Sequence, residues 1–304
     1  MLIQNELKIL LVLFLISFAL LLVAHLLKKE KNTKLNYVIT TSYPVYSLTK
    51  QLLNYTNIET VLILKPGMNA HNYEPLLSDI VLVNNASAII FTNKFFEGWV
   101  NKLLNSIDNK NVLIIDAGET IDILCESNNC ENKDPHVWLS PKKVLAMTKK
   151  IRDELVKNFQ EHKKQIDENY KKIELELIEI EKNYYKKLSS CKYQKVYVYH
   201  NALGYLKKDY NFEQVAILNN YVPEGEPSMM HLELLSKQMK KENYSHILLE
   251  KNVNEKALEF LKDKNIKIHL FDTMEVYYEK DLETNLQSKL LNNLFVLKEA
   301  LECS

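Results

Sequence analysis

The apolar positions of this chain follow two different periods. Short runs rich in β-branched residues alternate with longer segments whose apolar residues recur every three or four positions. The short runs predict eight strands, at residues 35–41, 59–64, 88–92, 112–115, 195–199, 214–218, 246–250 and 267–271. Because helical stretches separate them, the pattern predicts two mainly parallel α/β sheets of four strands each.

A long helical stretch lies between the two groups of strands. Neither Pro nor Gly occurs between Pro141 and Gly204, and Leu, Ile, Lys and Glu dominate, which favours helix. We place one break near residues 158–162 and a second helix over 163–188, about 39 Å long at 1.5 Å per residue. Its apolar stripe consists of Ile166, Tyr170, Ile173, Leu177, Ile180 and Tyr184. A coiled-coil strand would show the same period, but α/β halves at both ends favour a rigid connection between two lobes.

The expected fold is therefore α/β, with two lobes, each a four-stranded mainly parallel sheet with flanking helices, joined by a long rigid helix. The expected divisions are a membrane anchor or signal segment at 1–34, an amino-terminal lobe at 35–157, a linker helix at 158–190 and a carboxy-terminal lobe at 191–304. A cleft between two lobes is a common ligand site.

Residues 9–27 form an almost unbroken apolar run that is long enough to cross a membrane as a helix. The small residues Ser17 and Ala19 lie inside the run rather than after it, and no cysteine follows to accept a lipid. We therefore expect an uncut anchor rather than a cleaved signal. Lys28, Lys29 and Lys31 follow the run, and the positive-inside rule alone would leave the body in the cytoplasm.

Composition excludes some functions. The chain has 304 residues with 39 basic and 39 acidic side chains. This balance does not indicate nucleic-acid binding, which usually requires an excess of basic residues. Its five glycines include no pair spaced as a phosphate-binding loop requires.

The four cysteines allow several states. Cys125 and Cys130 lie in a polar stretch that suits a small disulfide loop in an oxidising compartment, with free thiols or soft metal ligands as alternatives. Cys191 and Cys303 can pair only if the carboxy terminus folds back onto the second lobe.

Four polar side chains follow predicted strands, where open parallel sheets bind their ligands. They are His71, His136, His200 and Asp272. Taken singly, a loop histidine is usually a surface residue and an Asp after a strand is usually a helix cap. Together, three imidazoles and one carboxylate would give Zn²⁺ a closed tetrahedral shell. The other five histidines are weaker candidates.

These residues lie in motifs that resemble a known family. The motifs are Ser42-Tyr43-Pro44, Pro66-Gly67 through His71 to Glu74-Pro75, Asp134-Pro135-His136-Val137-Trp138-Leu139, His200-Asn201-Ala202-Leu203-Gly204-Tyr205, Glu226-Pro227-Ser228 and Asp272. From about Leu35 onward the chain resembles the metal-binding solute-binding proteins of bacterial ABC importers for zinc and manganese, the ZnuA, AdcA, TroA and PsaA-like group, a family also linked to cell adhesion.

The resemblance implies a function and a site. It implies an extracytoplasmic receptor, in the periplasm or on the outer face of the cytoplasmic membrane. We expect this receptor to be monomeric and to be anchored by residues 9–27. The receptor would pass its metal to an ABC permease and would bind no nucleic acid. The family's ligands fall on His71, His136, His200 and Asp272, and histidine at the third position favours Zn²⁺, with Mn²⁺ as the alternative because a branch with the same three histidines also takes manganese.

Some features depart from the family. Ala70 stands where the family usually has Pro, no His-rich acidic loop is present, and an uncut anchor would replace the lipid-modified cysteine.

Two other functions stay open. A zinc hydrolase could use Glu74 as its base, but four protein ligands leave no place for water and no His-Glu-x-x-His motif occurs, so we expect no enzyme. In an adhesin or anchored scaffold, the metal would be only structural.

Overall fold

A computed structural model describes residues 16–18, 36–125, 133–218, 221, 228–250, 253 and 255–304. Apart from residues 16–18, the predicted anchor at 9–27 lies outside this part of the chain. None of the helices in the described ranges combines the length and the apolar character needed to span a membrane.

The first sheet has four parallel strands in the order β2-β1-β3-β4. They are β1 (Tyr37–Thr40), β2 (Glu59–Leu62), β3 (Ala88–Phe91) and β4 (Leu113–Asp116), and the helices between them are α1 (Tyr43–Leu52), α2 (Leu77–Asn85) and α3 (Val100–Asn105). The central strands β1 and β3 pair with Ile39 opposite Ile89. Both side chains are fully buried, as expected for a sheet covered on both faces.

A two-stranded antiparallel hairpin, β5 (Leu124–Cys125) with β6 (Lys133–Asp134), follows the first sheet. The pattern of apolar residues does not predict this hairpin. The hairpin matters because Asp134 and the single-turn helix Val137–Leu139 bracket His136.

The second sheet repeats the arrangement with the order β10-β9-β7-β8, again parallel. Its strands are β7 (Lys195–His200), β8 (Glu213–Leu218), β9 (His246–Leu249) and β10 (Lys267–Leu270). The helices of this half are α6 (Gly204–Tyr210), α7 (Met229–Lys241), α8 (Glu255–Asp263) and α9 (Leu286–Ala300). The predicted α/β fold with two four-stranded sheets is confirmed.

The predicted long helical stretch is also confirmed. It consists of α4 (Pro141–Asn158), a 3₁₀ turn over Gln160–His162 and α5 (Lys163–Leu188). Helix α4 begins with two standard signals, since the Ser140 hydroxyl accepts from the Lys143 amide and Pro141 occupies the first turn.

Helix α5 contacts both halves of the molecule. Near its start, the Asn169 side chain donates to the Leu52 carbonyl at the end of α1, and near its end Tyr184 donates to the Leu290 carbonyl of α9. The predicted stripe is buried, apart from Tyr170, which is partly buried. Helix α5 is therefore hydrogen-bonded to both halves of the molecule.

The carboxy terminus folds back onto the second sheet. A disulfide joins Cys191 to Cys303, and the Tyr193 amide donates to the Leu301 carbonyl. Cys125 is disulfide-bonded too, while its predicted partner Cys130 lies outside the described residues.

Candidate metal centre

His71 lies in the loop that follows β2. Gly67 turns this loop with a left-handed φ of 84°, which glycine adopts readily because it has no Cβ. The Asn69 side chain accepts from the His71 amide at 2.8 Å, and the His71 ring packs edge-on against Phe96 with centroids 4.5 Å apart. The loop therefore presents a buried imidazole in one orientation.

His136 is held by a buried carboxylate. Asp134 Oδ1 accepts from both the backbone amide and the ring Nδ1 of His136, at 2.9 and 2.8 Å. An Nδ1–H that donates to a carboxylate leaves Nε2 with its lone pair directed outward, as in the carboxylate–histidine pairs of metal sites. Gly204 packs so closely that a Cβ there would lie 2.0 Å from Asp134 Oδ2, so only glycine fits beside this carboxylate.

His200 is the last residue of β7 and also has a carboxylate beside its Nδ1. Its Nδ1 lies 2.6 Å from Glu250 Oε1, just beyond the end of β9. Both groups are buried. Two of the histidines thus receive a carboxylate on Nδ1 and present Nε2 to the same space.

Glu275, which is not among the four predicted ligands, lies against the three histidines. Its Oε1 lies 3.1 Å from His136 Nε2 and 3.0 Å from His200 Nε2, and its Oε2 lies 3.7 Å from His71 Nε2. Donor atoms of His71, His136 and Glu275 all lie within 4.8 Å of one another, and His200 Nε2 is 3.4 Å from His136 Nε2. Two ligands on a tetrahedral ion with bonds of about 2 Å lie roughly 3.3 Å apart. The Glu275 carboxylate and the facing nitrogens of His136 and His200 are therefore spaced much as such a shell requires, and His71 lies slightly further from the carboxylate.

Two donor atoms of this cluster are buried without a hydrogen-bond partner in the described part of the chain. They are His71 Nε2 and Glu275 Oε2. Unsatisfied buried polar atoms are costly, and a cation between them would satisfy both. The donor set of three nitrogens and one oxygen fits Zn²⁺.

Burial and neighbouring charges shift the pKa values of the three histidines in opposite directions. Burial lowers the pKa of His71 to about 4, helped by the nearby charges of His136 and His200. Burial also opposes protonation of His200, but the charge of Glu275 and the hydrogen bond to Glu250 outweigh it and raise the pKa of His200 to about 10. The pKa of His136 is likewise raised, because its bonds to Asp134 and Glu275 exceed the effect of burial.

Glu275 shows the opposite shift. Burial alone would raise the pKa of this carboxyl group, but the facing imidazoles, His200 first, hold it below its ordinary value. Without a metal, the cluster therefore combines a carboxylate with a proton on the His136 and His200 pair.

Asp272, the predicted fourth ligand, does not point to this cluster. Its Oδ2 lies 2.6 Å from Lys289 Nζ, and its Oδ1 accepts from the Met274 amide. Both carboxylate oxygens are thus engaged at the base of the loop after β10. Glu275, three residues further along the same loop, brings its carboxylate to the histidines instead.

A comparison with protein families matches residues 38–300 to ZnuA, the periplasmic component A of the zinc-uptake complex. The chain belongs to the ZnuA family. Members are metal-binding solute-binding proteins of transport systems and not enzymes, so the expected family and the absence of enzymatic function are confirmed.

Individual ZnuA relatives support the assignment. The chain is 32% identical over 299 residues to the zinc-binding lipoprotein AdcA of Streptococcus pneumoniae, covering 92% of this chain and 58% of that protein. It is 27% identical to the high-affinity zinc uptake system protein ZnuA of Bacillus subtilis, covering 90% and 87%. The chain thus spans little more than half the length of its AdcA relatives.

The fold of the family is shared as well. The chain superposes on the Zn(II)-bound ZnuA-like domain of Streptococcus pneumoniae AdcA with a TM-score of 0.79 and 30% identity, covering 88% of this chain and 99% of that domain. For the metal-dependent lipoprotein YcdH of Bacillus subtilis the TM-score is 0.78 at 26% identity, covering 88% of this chain and 99% of that one.

Proposed function

We propose that this protein is the substrate-binding component of a zinc ABC importer and that it binds one Zn²⁺ through His71, His136, His200 and Glu275. The observation that carries the proposal is that the Glu275 carboxylate lies 3.0–3.7 Å from a ring nitrogen of each of the three histidines. The relatives described as zinc-binding support the choice of metal.

Zinc is favoured over manganese by the donor atoms. Three nitrogens and one carboxylate suit a four-coordinate borderline ion, whereas Mn²⁺ prefers oxygen-rich shells with more ligands. Manganese remains the alternative cargo. The carboxylates behind His136 and His200 favour a dication as well, because they raise the basicity of both rings.

The metal would be captured outside the cytoplasm and passed to a permease. The AdcA relatives described as lipoproteins support an attachment to the membrane, for which residues 9–27 remain our proposed anchor. We also retain the proposed divisions at 1–34, 35–157, 158–190 and 191–304, and a monomeric receptor. Because α5 is packed at both ends, we expect release to involve a local movement of the Glu275 loop rather than a wide hinge.

Isothermal titration of the chelated protein tests the proposal. We expect one Zn²⁺ per chain, and we expect its loss in the double variant His71→Ala, His136→Ala. His162→Ala is the control, since His162 lies on the 3₁₀ turn between α4 and α5. No stoichiometric zinc uptake, or uptake that the double variant leaves unchanged, would refute the zinc site. Thermal melts with and without chelator test the structural-metal alternative, because a receptor stays folded without its metal whereas a protein held together by it does not.

A further inference from the structure

Lys289 forms a buried ion cluster behind the Glu275 loop. Its ammonium lies 2.6 Å from Asp272 Oδ2 and 2.8 Å from Asp281 Oδ1, with 10% of the side chain exposed. The same ammonium lies 5.0 Å from the centre of the Tyr43 ring, on the first helix of the other half. Charges that are buried and paired in this way hold their partners in a fixed position.

Asp272 is fixed through its backbone as well as its carboxylate. Its amide donates to the Asn293 side-chain oxygen and its carbonyl accepts from the Asn293 side-chain nitrogen, at 3.0 and 2.8 Å. Lys289 and Asn293 both lie on α9. Helix α9 therefore holds the start of the loop on two adjacent turns.

The loop changes direction between Asp272 and Glu275. Met274 has a left-handed φ of 61°, a conformation that bulky residues seldom adopt. The Met274 amide donates to Asp272 Oδ1 at 3.0 Å. Because the carboxylate that holds this turn is itself held by Lys289, the ammonium is linked to the turn that aims Glu275.

The far side of the loop is bound to the other half of the molecule. The Ala70 amide donates to the Glu275 carbonyl and the Gly67 amide donates to the Tyr277 carbonyl. These bonds also tie the Glu275 segment to the loop that carries His71. The position of the Glu275 carboxylate thus depends on both anchors, and Lys289 is the charged part of one of them.

We propose that Lys289 is a positioning residue for metal binding, which acts through Asp272 and the Met274 turn to hold Glu275 against His136 and His200. This inference rests on the proposed zinc site. It also explains why Asp272 is unavailable as a ligand. Removing Lys289 should therefore increase the rate of zinc dissociation, because Glu275 would be held less firmly.

The variants Lys289→Met and Asp272→Asn test the link, with Lys298→Met as the control. Lys298 lies on the same helix, and no carboxylate in the described part of the chain is within ion-pair range of it. Zinc release into excess chelator is followed by stopped flow, and the melting temperature of the metal-free protein is measured in parallel. We expect each test variant to release zinc about 10–100 times faster, the range seen when supporting residues of a metal site are removed, and we expect the control to match the parent.

The double variant Lys289→Met, Asp272→Asn distinguishes a single link from two separate effects. If both residues act through one contact, it releases zinc no faster than the faster single variant. Unchanged release in folded Lys289→Met and Asp272→Asn, with only a lower melting temperature, would overturn the positioning role, as would failure of both to fold. A parent protein that binds no zinc would refute the zinc site itself, so the two failures are distinct.

Discussion

Raising the pH from 7 to 8 should tighten zinc binding about tenfold, because the cation must displace a proton that the metal-free site still holds. The pKa of His200 is raised to about 10 by Glu275 and Glu250 despite its burial, so this ring is protonated at both pH values. Each displaced proton changes the affinity tenfold per pH unit, or about 1.4 kcal/mol. The sign is fixed: a raised histidine pKa makes binding stronger as pH rises.

We expect His136 and His200 together to hold one proton in the metal-free protein. His136 also has a raised pKa, but its Nε2 lies 3.4 Å from His200 Nε2, and a second proton there would face the first. His71, with a pKa of about 4, is neutral above pH 5 and contributes nothing in this range. Three unperturbed histidines would instead strengthen binding only about twofold between pH 7 and 8, since each is mostly neutral by then.

The assay combines two measurements. A competing chelator of known pH dependence gives the affinity at pH 7 and 8, and calorimetry at pH 8 in buffers of different ionisation enthalpy gives the number of protons released. We expect about one proton per zinc, whereas unperturbed histidines would release roughly a tenth of one. Glu250→Gln is a second test. It removes one cause of the raised pKa of His200, so the number of protons released at pH 8 should fall. An affinity that changes only twofold, with almost no proton release, would refute this account of the site.

Three further predictions concern Gly204, Asp134 and the disulfide between Cys191 and Cys303. Gly204→Ala would place a Cβ at 2.0 Å from Asp134 Oδ2; we expect a loss of about 1–3 kcal/mol in unfolding free energy and weaker zinc binding, and unchanged melting would contradict the packing argument. Asp134→Asn keeps the shape but removes the charge beside His136 in the proposed zinc site, so zinc affinity should fall about 10–100-fold, with calorimetry as the check. Replacing Cys191 and Cys303 by serine opens a crosslink with a sequence separation of 112; we expect a cost of about 2–5 kcal/mol in denaturant unfolding, and a cost below about 1 kcal/mol would contradict it.

The long helices were predictable because local signals agreed. A stretch free of Pro and Gly with an apolar stripe at helical spacing has one stable solution, and α5 begins and ends where the pattern does. The strands were predicted to within about two residues for the same reason. The hairpin of β5 and β6 was missed because each strand has only two residues, too few to show an alternating pattern.

The three histidines were predictable from the rule for parallel sheets. His71 and His136 lie beyond strands and His200 is the last residue of β7, and ligands in such sheets collect at the carboxyl ends of the strands. The carboxylates beside the Nδ1 atoms of His136 and His200 were harder to predict from the sequence. Asp134 lies in the same motif as His136, but Glu250 reaches His200 from the neighbouring strand β9, and that pairing depends on the strand order β9-β7, which the pattern of residues does not specify.

Local sequence does not decide which of Asp272 and Glu275 lies beside the histidines. Both carboxylates lie in the loop after β10. The rule for parallel sheets therefore selects this loop, but not the acid that reaches the histidines. Two distant features decide it: the Lys289 ammonium on α9 binds Asp272 at 2.6 Å, and the left-handed backbone of Met274 redirects the chain before Glu275. Neither feature has a periodic signature, since an ion pair 17 residues apart in sequence and a single strained φ exist only once the fold has formed. The carboxylate that completes the histidine cluster is therefore selected by tertiary packing, and the contacts that select it are the ones that the Lys289 and Asp272 variants remove.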